Sequence, residues 1–169
     1  MGLKKREFVK VVDGVFAERF AEFGFAPDGA ERDGDAYYWR RFRAGQRYVS
    51  IKLDLHLRDG PPECCLILGE GSNDFPESDW NAIALWRLRG EAGNYPLPGT
   101  DKLGEVMVQM RDDLFQYASD FLSGDTRRFI RVRSAQNSER EPYKFHLPRE
   151  DGTYQTAIDL MSQKLKERF

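Results

Sequence analysis

The sequence predicts an α+β fold, an antiparallel sheet of three to four strands preceded by an N-terminal helix and packed with two further helices. Three observations carry that reading. Apolar residues recur at helical spacing from Phe8 to Phe23, they alternate through "RYVSIKLDLHLR", and they return to helical spacing from Leu103 to Phe121. With 169 residues, the chain fits one domain, residues 1–169, able to bury a core without disulfides or a metal.

The first helix places Phe8, Val12, Phe16 and Phe20 on one face, with Val9, Val15 and Phe23 beside them. Gly24 suits the left-handed position that ends a helix. Phe25 then falls where a side chain folds back on Phe20, as in a Schellman ending. "APDGAERDGD" is rich in turn formers and acids and reads as a solvated loop.

"YYWRRFR" is the first strand, and a short glycine-containing turn joins it to the alternating second strand as a hairpin. Pleat geometry puts Tyr37, Trp39, Arg41 and Arg43 on one face and Tyr38, Arg40 and Phe42 on the other. A two-residue Gly45-Gln46 turn sets Phe42 beside Val49 and Tyr38 beside Leu53 on the core face. A three-residue loop sets Trp39 beside Ile51 and Tyr37 beside Leu53 instead. The second strand points Val49, Ile51, Leu53, Leu55 and Leu57 to the core, and Tyr48, Ser50, Lys52, Asp54, His56 and Arg58 outward.

The third strand, "ECCLILG", is apolar at both parities, which suits the centre of a sheet or a strand covered on both faces. "EGSNDFPES" is loop. In "DWNAIALWRLRG" Trp80, Ala84 and Trp86 alternate, while Trp80, Ile83 and Ala84 suit a helix; we read it as a fourth strand. "EAGNYPLPG" is loop again. A helix then runs from Asp101 with Leu103, Met107, Met110, Leu114, Tyr117 and Phe121 on one face, and Gly124 stops it. "TRRFIRVRS" is ambiguous and "QNSEREPYKFHLPREDG" is an irregular connection. The last 17 residues carry Tyr154, Ile158, Met161, Leu165 and Phe169 on one helix face.

Composition excludes more than it assigns. A formal charge of -2 points neither to a polyphosphate partner nor to an acidic tail. The adjacent Cys64 and Cys65 are poorly placed for a mutual disulfide and are read as buried reduced thiols. The N-terminal segment lacks an apolar signal core, and the apolar runs fall far short of the roughly 20 residues that span a bilayer. The expected location is the cytoplasm.

Asp54 and His56 share a strand face, where a carboxylate can orient an imidazole, and they support an alternative as a small hydrolase-like enzyme. No glycine elbow presents a nucleophile to them. His146 has no partner in the sequence. The two histidines stand far apart, no spaced cysteines accompany them, and "GEGSND" does not fit a calcium loop, so no metal is expected. "LGEGSND" lacks the third glycine of a dinucleotide loop and the lysine of a Walker loop, so no cofactor is expected either.

A nucleic-acid alternative rests on Arg40, Arg41, Arg43, Arg47, Lys52 and Arg58, with the arginines of "RRFIRVR" further along. Asp28, Glu31, Asp33 and Asp35 precede the first cluster, and Asp112, Asp113, Asp120 and Asp125 the second. Arginine beside acid is the usual pattern of surface ion pairing.

Four pieces, "FAEFGFAPDGA", "YYWRRFR", "YVSIKLDLHL" and "CCLILGEG", follow the order seen in a bacterial family of uncharacterised proteins. Over about its first 70 residues the chain resembles that family, domain of unknown function 4304, some of whose members sit among toxin-immunity genes. The resemblance implies a small binder rather than an enzyme. The expected function is therefore a non-enzymatic protein-binding module that occludes a partner protein. Trp39, Arg41, Tyr48, Lys52, Asp54 and His56, with the exposed aromatics of residues 37 to 39, are the candidate partner-binding residues.

Overall fold

The computed structural model describes residues 3–33, 37–55, 60–142 and 153–169. Helix α1 (Lys5–Glu22) buries Phe8, Val12, Phe16 and Phe20, the face that the spacing predicts. Its end is the expected Schellman motif. Gly24 takes a φ of 77°, its N–H donates to the Ala21 carbonyl at 3.0 Å, and the Phe25 N–H donates to the Phe20 carbonyl at 3.0 Å. The Phe20 and Phe25 rings then meet at 5.7 Å.

Strands β1 (Ala26–Asp33), β2 (Tyr37–Ala44), β3 (Arg47–Asp54) and β4 (Glu63–Glu70) form an antiparallel meander. Two short strands, β5 (Ala82–Ala84) and β6 (Tyr95–Pro96), both pair with β4 and complete a six-stranded sheet. The count exceeds the expected three to four because β1 occupies the segment expected to be a solvated loop, and β6 lies within "EAGNYPLPG", also expected to be loop. Its charges, Pro27 and Gly29 belong to an exposed edge strand, which tolerates all three, and its register shifts between Pro27 and Gly29.

Ala44 pairs with Arg47, so the hairpin turn has two residues. Gly45, at a φ of 59°, takes the first place of the turn, where a type II′ geometry needs glycine. This register sets Phe42 against Val49, Arg40 against Ile51 and Tyr38 against Leu53. β4 lies between β3 and the β5–β6 pair, which accounts for its apolar residues at both parities. Cys64, Leu66 and Leu68 face the core from β4, opposite Leu53, Ile51 and Val49. The two cysteines are free thiols on opposite faces; Cys64 is buried and Cys65 half-buried. Burial pushes both thiols up to about 12.

The segment from Asp79 to Gly90 divides where one strand was expected. Helix α2 (Glu77–Trp80) ends at Trp80, β5 follows, and helix α3 (Trp86–Arg89) closes at Gly90. Helix α4 (Leu103–Tyr117) buries Leu103, Met107, Met110 and Leu114 as predicted. Ala118, at a φ of -133°, interrupts it, so that Phe121 lies on a separate short helix α5 (Ser119–Ser123), which ends at Gly124. Helix α6 (Arg127–Ser138) takes up the ambiguous arginine-rich segment and the start of the expected irregular connection. Helix α7 (Thr153–Arg168) is the expected C-terminal helix.

Helices α1 and α4 pack on each other and on the inner face of the sheet. There they enclose Tyr38, Phe42, Val49, Ile51, Leu53, Leu66 and Leu68 in one core. Helices α2 and α6 contact β5 and cover only one end of the outer face. Among the described residues no helix is long and apolar enough to cross a membrane.

Candidate functional site

The part of the outer face left open by α2 and α6 is a groove of about 480 Å³, within the usual size of ligand sites. Its floor follows from strand parity. β2 contributes Trp39 and Arg41, β3 contributes Tyr48, Ser50 and Lys52, β4 contributes Ile67, and β5 contributes Ala82 and Ala84. Serine and alanine at outward positions leave depth where larger side chains would fill it. The segment from Asn73 to Asp79 forms one wall, and Gln136 and Arg140, at and beyond the end of α6, form the other.

Tyr48 has the outward parity that the alternation predicts, but it is 2% exposed. Its ring lies over Gly69, where an added Cβ would come within 2.2 Å of the Tyr48 Cζ. Space, rather than backbone conformation, therefore requires glycine there. The hydroxyl donates to Asn81 Oδ1 at 2.9 Å. Asn81 in turn donates through Nδ2 to the Ser72 carbonyl, so the tyrosine helps to hold the 72–81 wall. Burial raises the phenol above its ordinary range, and it stays neutral.

The arginines beside it are already engaged. Asp28 on β1 accepts from Arg41 Nε and Arg43 Nε, each at 2.9 Å. Arg43 also donates to the Gly71 carbonyl at 3.0 Å and to Asn73 Oδ1 at 2.9 Å. Their guanidinium planes lie over Trp39 and Tyr48, at 4.7 and 5.2 Å from the ring centres. Burial acts to raise the Asp28 carboxyl, but hydrogen bonds from Arg43 and Arg41, aided by their charges, outweigh it and hold the group below the ordinary carboxylate range. Arg40, on the opposite face, reaches Asp13 of α1 through Nε at 2.7 Å and Nη2 at 2.9 Å.

Two floor residues are different. Ser50 is 5% exposed, and among the described residues its hydroxyl has no hydrogen-bond partner. Lys52 is exposed, and its ammonium likewise makes no ion pair among the described residues. On the walls, Arg140 is spoken for: it donates to the Asp79 carbonyl, lies 3.9 Å from the Asp79 carboxylate and stacks on Trp80 at 4.9 Å.

Of the candidate residues, the fold brings Trp39, Arg41, Tyr48 and Lys52 together in the groove. Asp54 is half-buried at the end of β3, opposite Tyr37 and Glu63, and does not line it. His56 and His146 lie outside the described residues. The aromatics of 37 to 39 do not all face solvent. Tyr37 is exposed and Trp39 half-buried, while Tyr38 is in the core and donates its hydroxyl to the Leu3 carbonyl. Sequence reasoning missed Ser50, Ala82, Ala84 and Gln136. For the first three the available signal was small residues at outward parity; Gln136, on α6, gave none.

The arginine-rich segment of α6 does not extend this surface. Arg128 donates to the Tyr117 and Leu88 carbonyls at 2.8 and 2.6 Å. Arg133 is buried between Phe129 and Phe169, and Arg127 pairs with its neighbour Asp125. Among the described residues no three His, Cys, Asp or Glu side chains gather as a metal site requires. Comparison with protein-family models, with curated proteins and with solved structures returns no match.

Proposed function

We propose that this chain is a non-enzymatic binding module that acts in the cytoplasm and occludes a partner protein, as the immunity-like resemblance implies. The groove on the outer sheet face is its docking site. The observation that carries this reading is the convergence there of Trp39, Arg41, Tyr48 and Lys52, the first three held in place before anything binds. Tryptophan, tyrosine and arginine are the side chains that dominate protein interfaces, and holding them in advance lowers the entropy lost on association. Phe75, 60% exposed at the edge of the groove, adds an apolar contact.

Site-specific photo-crosslinking tests the reading. Benzoylphenylalanine at position 75 in cells that natively express the protein should give a discrete protein adduct. The same probe at Val108, exposed on α4 across the sheet, should give none. Equal adducts from both positions, or a nucleic-acid adduct from position 75, would rule it out.

A further inference from the structure

The groove contains two groups that the fold leaves without partners. Ser50 is 5% exposed at the floor; its hydroxyl makes no hydrogen bond among the described residues and, not being one of the fully buried polar atoms, is open to the groove. Lys52 stands two positions along the same strand face, about 6.6 Å away along the backbone, with its ammonium unpaired. Trp39 sits directly across the ladder from Lys52, and Arg41 directly across from Ser50.

The other charges narrow the ligand. Arg41 is committed to Asp28 and Arg140 to Asp79, which leaves Lys52 as the lining cation without an anion among the described residues. Asp74 and Asp79 stand on the opposite wall. A phosphate dianion would face two carboxylates with one uncommitted cation to hold it. A single carboxylate is matched by one ammonium and one hydroxyl donor.

We infer that the groove receives an aspartate or glutamate side chain of the partner, its carboxylate between Lys52 Nζ and Ser50 Oγ and its methylene stem against the Trp39 indole. The inference rests on the docking reading above and names the group recognised. The carboxylate satisfies the serine hydroxyl and neutralises the lysine in one contact, and the indole shields that pair from water.

The test is titration of the isotope-labelled full chain with capped Gly-Glu-Gly, capped Gly-Gln-Gly and inorganic phosphate, followed by amide and indole NMR shifts. The glutamate peptide should move the amides of Ser50 and Lys52 and the Trp39 indole, and bind about tenfold tighter than the glutamine peptide, the weight of one charge-assisted hydrogen bond. Lys52→Met should erase that preference and Lys52→Arg retain it. Lys52 is exposed, so neither variant threatens the fold. Equal binding of the two peptides, tighter binding of phosphate, a preference that survives Lys52→Met, or no shifts up to the solubility limit would each overturn the inference. A crosslinked partner at position 75 without the glutamate preference removes the carboxylate assignment alone. A glutamate preference without a crosslink keeps the carboxylate site and removes the docking reading.

Discussion

Asp28 shows what a single residue contributes here. It is one acid among several in "APDGAERDGD", yet its carboxylate ties two arginines of the neighbouring strand. Because its folded-state pKa is depressed, its stabilising effect is present in full above the ordinary aspartate value of about 3.9. That effect is lost as pH falls through the lower folded value. Asp28→Asn should therefore be less stable than the parent at pH 7, and the gap should narrow in strongly acid solution. Urea unfolding at both pH values checks this; a gap that is constant with pH would remove the assigned role. Gly69 is a second such residue: the sequence shows it only as the end of the strand "ECCLILG", and its role emerges when Tyr48 is placed over it.

At the level of elements, β1 and β2 show how tertiary contacts override local signals. β1 carries Pro27, Gly29 and its acids because among the described residues its outer edge bonds to no other strand, while its inner edge supplies Asp28 to the arginines of β2. Arg40, from the core face of β2, fastens the sheet to α1 through its two-pronged pair with Asp13. A double-mutant cycle of Arg40→Ala and Asp13→Ala should return a coupling of about 1–2 kcal/mol, limited by the partial exposure of Asp13. Additive single losses would mean that the two side chains do not support each other. The break between α4 and α5 is of the same kind. The apolar spacing runs on across Ala118 because both helices bury the same side, and Arg47 from β3 donates to the Phe121 and Leu122 carbonyls at the end of α5, where a helix favours positive charge.

For the molecule as a whole, the sheet is closed on one face by α1 and α4 and left partly open on the other. β3 and β4 are hydrogen-bonded along both edges, and β1 along one. Native-state hydrogen exchange should therefore be slowest in β3 and β4 and markedly faster in β1; protection of β1 equal to that of β3 would contradict this order. The α+β class, α1 with its Gly24 ending, the hairpin, the core face of β3 and the buried face of α4 were all legible along the chain. Those features depend on periodicity and turn chemistry, which are local. The sequence also separated the two faces of each hairpin strand and named Trp39, Arg41, Tyr48 and Lys52 as candidates, but it left two registers open, and the pairing of Ala44 with Arg47 is what puts Trp39 on the outward face. Folding in three dimensions is what makes the surface concave, buries Tyr48 within it, and pairs Arg41 and Arg43 while leaving Lys52 and Ser50 without partners among the described residues. Depth comes from small residues on β3 and β5, on either side of β4, and charge pairing from β1, α2 and the end of α6 closing around them. Those neighbours are distant in sequence, and a pattern read along one strand carries no information about what stands across from it.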